Sequence, residues 1–121
     1  VATNFQIERH SQGDVRVLSL EGFLDAHTAP QFESAIQEET QGGNRQITVD
    51  CARLTYISSA GLGVFMSFIE EIREAGGDIK LAAITPKVYQ VFEVLGFPAL
   101  FDIVGTVDEA VAKFAAGPKE S

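Results

Sequence analysis

Hydrophobic positions along the chain fall into segments of two periods. Residues 5–10 begin apolar, polar, apolar at Phe5, Gln6 and Ile7, and after Ser11, Gln12, Gly13 and Asp14 an alternating run follows at Val15, Val17, Leu18 and Leu20. Alternation marks half-buried strands, and the four turn residues between them predict a hairpin. Glu21 and Gly22 interrupt, and Phe23-Leu24-Asp25-Ala26-His27 leads to Thr28, with Pro30 and Gln31 close behind. That order predicts a helix start, with the Thr28 hydroxyl capping a free N–H, Gln31 reaching back and proline tolerated in the first turn. Phe32, Ala35 and Ile36 form its inner face, Glu33, Gln37 and Glu38 its outer one, and Gly42-Gly43 ends it. Ile47, Val49 and Cys51 alternate with Thr48 and Asp50 as a strand, and Leu54, Tyr56 and Ile57 continue apolar toward a turn.

The best-defined helical stripe is Leu62, Phe65, Ile69 and Ile72, widened by Val64 and Phe68, with Glu70, Glu71, Arg73 and Glu74 opposite and Gly76-Gly77 as the stop. Ile79, Leu81 and Ala83 predict a short strand. Thr85 as cap and Pro86 in the first turn open a helix with Val88, Val91, Phe92 and Leu95 inward, ending at Gly96. Phe101, Ile103 and Val104 predict a last strand. Thr106 and Glu109 form a capping-box pair for a final helix carrying Val107, Val111 and Phe114, before Gly117-Pro118. Strands alternating with helices require crossovers, so the fold class is α/β: a mixed, mostly parallel sheet of about five strands with a leading hairpin and about four helices. A length of 121 residues admits one domain, read over residues 4–116, with a polar tail at 117–121.

Charge and composition then narrow the function classes. Lys and Arg total 9 against 17 Asp and Glu, a formal charge of −8 that repels nucleic-acid phosphates, so no direct nucleic-acid binding is expected. At 45% hydrophobic and 21% charged the chain is too apolar for a disordered acidic tail. A lone Cys51 makes no internal disulfide and no cysteine pair anchors zinc, which fits a reducing compartment. No apolar run approaches the roughly 20 residues of a membrane span, and no basic-then-apolar signal segment opens the chain. A cytoplasmic location and no membrane contact are the expectation, with Val1 at the start leaving a processed or trimmed beginning open.

Catalytic signatures are missing. The chain has no phosphate-binding P-loop, no H-E-x-x-H helix and no G-x-S-x-G elbow; Gly61 and Gly63 make only G-x-G, read as glycines that let a helix pack close to the sheet. Ser59, His27 and Asp25 supply the residue types of a hydrolytic triad, without an oxyanion hole or pocket to support it. Cys51 reads as a buried thiol and His10 as an exposed side chain, and no metal or cofactor is implied. The remaining candidate is Tyr56-Ile57-Ser58-Ser59-Ala60-Gly61-Leu62-Gly63, where a strand gives way to a helix. Carboxyl ends of strands in open α/β sheets are where ligands and partners meet the fold, and the following helix offers unpaired N–H groups and a positive dipole end. A phosphate on Ser59 would sit at a helix start that stabilises anions. The plainer reading is that Ser58 or Ser59 caps the helix.

On these residues the chain resembles the STAS domains of bacterial anti-sigma factor antagonists. Glu21-Gly22-Phe23-Leu24-Asp25-Ala26-His27-Thr28 resembles the family's G-x-L-D-x-x-T turn, Ser58-Ser59-Ala60-Gly61-Leu62-Gly63-Val64 its D-S-S/T-G-L-G block, and Gly76-Gly77 with Ile79 to Pro86 the stretch before its third helix. The resemblance implies a binding switch that is not an enzyme. In the family the unphosphorylated antagonist, a monomer or weak dimer, binds an anti-sigma factor that is also a serine kinase and so frees a sigma factor; the kinase phosphorylates the antagonist's serine, and a serine phosphatase restores it. Ser59 matches the phosphorylated serine. Asp25 and Thr28 match turn residues beside it on the partner-facing surface, which with Ser58, Ser59, Ala60, Gly61, Leu62 and Gly63 form the implied partner-binding set. Ser58 stands where the family's familiar block has an acid, which leaves it as an alternative acceptor, and Ala60 replaces a second hydroxyl. Two other readings stand beside this one: a STAS module in a larger signalling or transport assembly, and a STAS domain that binds a nucleotide or another small ligand at the serine loop.

Overall fold

Five strands form one sheet in the order β1-β2-β3-β4-β5 in the computed structural model, which describes residues 5–116. β1 (Phe5–Gln12) and β2 (Val15–Leu24) run antiparallel, and β3 (Gln46–Ile57), β4 (Asp78–Ala82) and β5 (Ile103–Val104) follow parallel to β2. α1 (Ala29–Gln41), α2 (Ser59–Glu74) and α3 (Pro86–Val94) are the crossovers, and α4 (Val107–Ala115) comes after the last strand. This is the mixed α/β sheet with a leading hairpin that the hydrophobic periods predict. Asn4 and the tail at 117–121 lie outside the described residues.

Because spatial order follows chain order from β2 to β5, right-handed crossovers put α1, α2 and α3 on one face of the sheet. Phe65 of α2 is the centre of that face, with ring centroids 5.1 Å from Phe32, 6.2 Å from Phe92, 6.4 Å from Phe97 and 5.8 Å from Phe101. All four are edge-to-face contacts, the geometry the ring quadrupole favours. Beneath them lie Ile47, Val49, Ile79 and Leu81, each fully buried. Alternation along the strands turns Thr48 and Lys80 to the other face, where α4 docks through buried Ala110. There the Lys80 ammonium lies 4.7 Å from the Phe114 ring centroid and bonds Asp102 at 2.7 Å and Asp78 at 3.0 Å. Burial pulls the Lys80 pKa down, and the two carboxylates outweigh it to leave the pKa raised.

Several local expectations change. β1 runs on through Gln12 because Gly13, at φ 63°, closes a two-residue turn, the pattern in which glycine takes the first loop position. β4 stops at Ala82, since Ala83 adopts φ 59° and redirects the chain toward α3. Leu95, expected to face inward, is 51% exposed as the cap of a helix that ends at Val94; Val88 and Phe92 carry the burial there. Thr85 and Thr28 occupy cap positions without accepting a capping hydrogen bond, whereas Thr106 accepts one from the Glu109 N–H at 3.1 Å as predicted.

One buried ion network has no counterpart in the hydrophobic pattern. Glu39 of α1 is only 4% exposed and accepts from the Arg16 guanidinium at 2.8 and 3.1 Å, from Arg9 at 3.3 Å and from the Asn44 amide at 2.9 Å. Burial raises the Glu39 pKa, and Arg16 and then Arg9 more than reverse this, holding it below the usual carboxylate value. A depressed folded-state pKa contributes stability that is complete above the unfolded value and is lost as pH falls through the folded one. Glu39→Gln is therefore expected to cost about 2 kcal/mol at neutral pH, with the gap to wild type narrowing below about pH 4 in urea titrations. A gap independent of pH would contradict the network's role. Phe65→Ala is expected to cost about 3–5 kcal/mol by the same measurement, as the loss of a ring with four aromatic neighbours.

Candidate functional site

The site is built where β2 and β3 end together. Their parallel pairing is irregular near this end, with register shifts between Ser19 and Glu21 and between Gly22 and Phe23, before Phe23 pairs with Tyr56 and Leu24 with Ile57. Such bulges rotate a strand about its axis. In β3 the buried positions accordingly pass from Ile47, Val49 and Cys51 to Leu54 and Ile57. Tyr56, which simple alternation would put beside Leu54, is instead 46% exposed; its ring lies 5.8 Å from that of Phe23, 45% exposed. This aromatic pair is absent from the sequence reading, because a bulge leaves no mark in the hydrophobic pattern.

Beyond Leu24 the chain turns through a tight hydrogen-bonded loop. The Asp25 carboxylate accepts from the backbone N–H groups of His27 at 2.9 Å and Thr28 at 3.2 Å. The Thr28 hydroxyl accepts from the Asp25 N–H at 2.9 Å and donates to the Phe23 carbonyl at 2.8 Å. Thr28 thus ties the end of β2 to the start of α1, in place of the helix-capping role that the sequence suggests. Both side chains hold the shape of the loop, and His27 beside them is exposed. Among the described residues no hydrogen bond joins His27 to Ser59.

Across the junction, the Ser58 N–H donates to the Leu24 carbonyl at 2.9 Å and the Ser58 carbonyl accepts from Leu62 at 3.1 Å, fixing the first turn of α2 onto the end of β2. Gly61 rests directly on the sheet: a Cβ there would lie 2.7 Å from Leu24 Cγ and 3.1 Å from Ile57 Cγ1. Close packing is therefore the work of Gly61 alone. Gly63, expected to share it, is exposed and has open space around it. Leu62 is buried and Ala60 exposed.

The two serines differ in kind. Ser58 Oγ is buried, has no hydrogen-bond partner, and does not cap α2. Ser59, the first residue of α2, is exposed. The helix has no side-chain cap and no acid in its first turn, so its leading N–H groups and positive dipole end meet no neighbouring side-chain acceptor. Cys51 is fully buried, and burial, then the charge of Asp50, drives its thiol pKa far up, which makes it inert. His10 is exposed as expected. Among the described residues no three His, Cys, Asp or Glu side chains gather as a metal site, and no helix is long and apolar enough to cross a membrane.

Comparisons with known proteins converge on one family. A protein of Bordetella bronchiseptica, BtrV, named there as an anti-sigma factor antagonist, is 33% identical over 98 residues, covering 81% of this chain and 84% of its own. The solved structure of the anti-sigma factor antagonist SpoIIAA in its unphosphorylated form is 26% identical with a TM-score of 0.77, covering 95% of this chain and 99% of its own. The phosphorylated form of Bacillus SpoIIAA, a cell fate determinant, is 26% identical with a TM-score of 0.69, covering 91% of this chain and 98% of its own. The profile of the STAS domain matches residues 6–110, and with the five-stranded mixed sheet in place this chain belongs to the STAS domain family.

Proposed function

We propose that this protein is an anti-sigma factor antagonist that acts by partner switching, with residues 4–116 as the binding unit and Ser59 as the switch. Unphosphorylated, it binds an anti-sigma factor that is also a serine kinase, and the bound sigma factor is released to RNA polymerase. The names of BtrV and SpoIIAA support the antagonist role. The observation that carries the switch is the contrast between the two serines: Ser59 is exposed at the head of α2, while the Ser58 hydroxyl is buried beneath it. A kinase needs its acceptor oxygen free to approach the nucleotide, which favours Ser59 over Ser58. That SpoIIAA has a phosphorylated form supports phosphorylation as the switching event.

The chemistry is a transfer performed by the partner. Ser59 Oγ takes the γ-phosphoryl group of ATP, its proton passes to a base of the kinase, and ADP leaves. The product phosphate is met by the free N–H groups at the head of α2, a geometry that holds an anion without rearranging the fold. Toward the partner the effect is opposite. A surface matched to a neutral hydroxyl beside nucleotide phosphates now faces about two further negative charges, and like-charge juxtaposition of this kind costs several kcal/mol. Asp25 and Thr28 serve here as positioning residues. Their loop, with Ser58, Ala60, Gly61, Leu62 and Gly63, forms the contact surface around Ser59, and a serine phosphatase returns the protein to its binding form. The antagonist itself performs no catalysis and needs no cofactor in this scheme.

Ser59→Ala is expected to bind the anti-sigma factor as tightly as the wild type and to stay bound in ATP, and Ser59→Asp to bind at least about tenfold more weakly by calorimetry. Equal affinities for the two variants would sink the switch. Incubation with the kinase and ATP, followed by peptide mapping, is expected to place one phosphate on Ser59 and none on Ser58; a phosphate on Ser58 would require the head of α2 to open and would overturn the assignment.

A further inference from the structure

The carboxyl edge of the sheet carries a second feature that the serine switch does not use. A groove of about 500 Å3 runs between the end of β3, at Tyr56 and Ile57, and the flank of α3 and its cap that carries Val88, Val91, Val94 and Leu95. Val88 is buried at its base, while Val94 is 82% exposed, Leu95 51% and Tyr56 46%. Large apolar side chains clustered in water mark an interaction surface more often than isolated ones do. Walls this open suit a segment of another protein better than a small molecule, whose site typically encloses roughly 70–90% of its surface.

Charge identifies the occupant further. Lys87 is the charged side chain that lines the groove. Arg9, Arg16, Arg53, Arg73, Lys80 and Lys113 all have acidic partners, and Arg45 donates to the Thr40 carbonyl at 2.7 Å. Lys87, by contrast, makes no ion pair or side-chain hydrogen bond among the described residues. An unneutralised ammonium at the rim of an apolar trench matches a carboxylate set beside apolar anchors. The groove also lies next to the serine block in the chain. Ile57 immediately precedes Ser58, and Tyr56 belongs both to the groove and to the Phe23–Tyr56 pair next to the Asp25/Thr28 loop.

We infer that the groove is a docking site for a segment of the same partner that phosphorylates Ser59, one with apolar side chains seated against Val91, Val94 and Leu95 and an Asp or Glu opposite Lys87. This rests on the partner-switching reading above. The groove supplies affinity that is present whether or not Ser59 carries phosphate, so it holds the substrate during phosphoryl transfer and selects the partner by its anchor. Binding of this uniform kind lowers KM without altering kcat.

The test uses the full chain and the purified cognate anti-sigma factor kinase. Val94→Asp and Lys87→Glu alter exposed side chains, so the melting temperature is expected to stay that of the wild type. Each variant is expected to weaken binding about tenfold by calorimetry and to raise the KM for Ser59 phosphorylation about tenfold at unchanged kcat. Replacing the facing acid of the partner by lysine is expected to restore binding to Lys87→Glu. Affinity and KM within about twofold of wild type for both variants would overturn the inference while leaving the switch intact. So would unchanged partner affinity together with a dimer, seen by light scattering, that Val94→Asp dissolves, or with a small molecule retained in native mass spectrometry. If the wild type neither binds the kinase nor is phosphorylated by it, the partner-switching reading itself fails, and the docking site with it.

Discussion

The contact on which the rest of the site depends is the seating of Gly61 against Leu24 and Ile57. With no side chain at 61, the head of α2 comes close enough for the Ser58 N–H to reach the Leu24 carbonyl at 2.9 Å. That bond joins the last residue of β2 to the residue before α2, so the loop after β2 and the start of the helix are held in one frame. Once this frame is set, Ser58 is carried inward and Ser59 outward. A side chain at 61 would overlap Leu24 and shift both serines together. A helix start held this tightly presents a hydroxyl at a fixed place, which is what recognition by a partner requires.

The frame is rigid because the two sides of the sheet are stabilised differently. On the side of α1, α2 and α3 a cluster of phenylalanines around Phe65 excludes water and ties the helices to one another. On the other side α4 closes over Lys80, whose ammonium is satisfied by Asp78 and Asp102. Most described cations are spent in this way on internal ion pairs, and the acidic excess remains at the surface. Against a formal charge of −8, one more phosphate changes the total modestly. In the switch proposed above, a phosphate on Ser59 acts through its position at the head of α2, since interactions between exposed charges fade within about 8–10 Å in physiological salt.

The fold was legible because periodicity reports which face of an element is buried, and here the periods of 2 and 3.6 are clean. The Leu62, Phe65, Ile69 and Ile72 stripe, the hairpin and the Thr106–Glu109 cap all appear where the spacing puts them. Two of the misreadings depend on contacts between segments distant in sequence, and two on local chain geometry that hydrophobic spacing does not report. Tyr56 turns outward because β3 is bulged against β2. Leu95 is exposed because α3 ends one residue before it. Thr28 bonds back to Phe23 and Asp25 in place of capping α1, and Glu39 is buried because Arg9 and Arg16 arrive from the hairpin to meet it.

By itself the sequence determined the fold class, the family resemblance and the segment that carries the proposed switch, because hydrophobic spacing and a serine-glycine block are local properties of the chain. Tertiary structure decided which serine is free and which glycine is needed for close packing. It also decided that an unpaired lysine lies beside an apolar groove. Each of these depends on what a second segment brings to the same point in space, and a linear pattern of residue types carries no record of that.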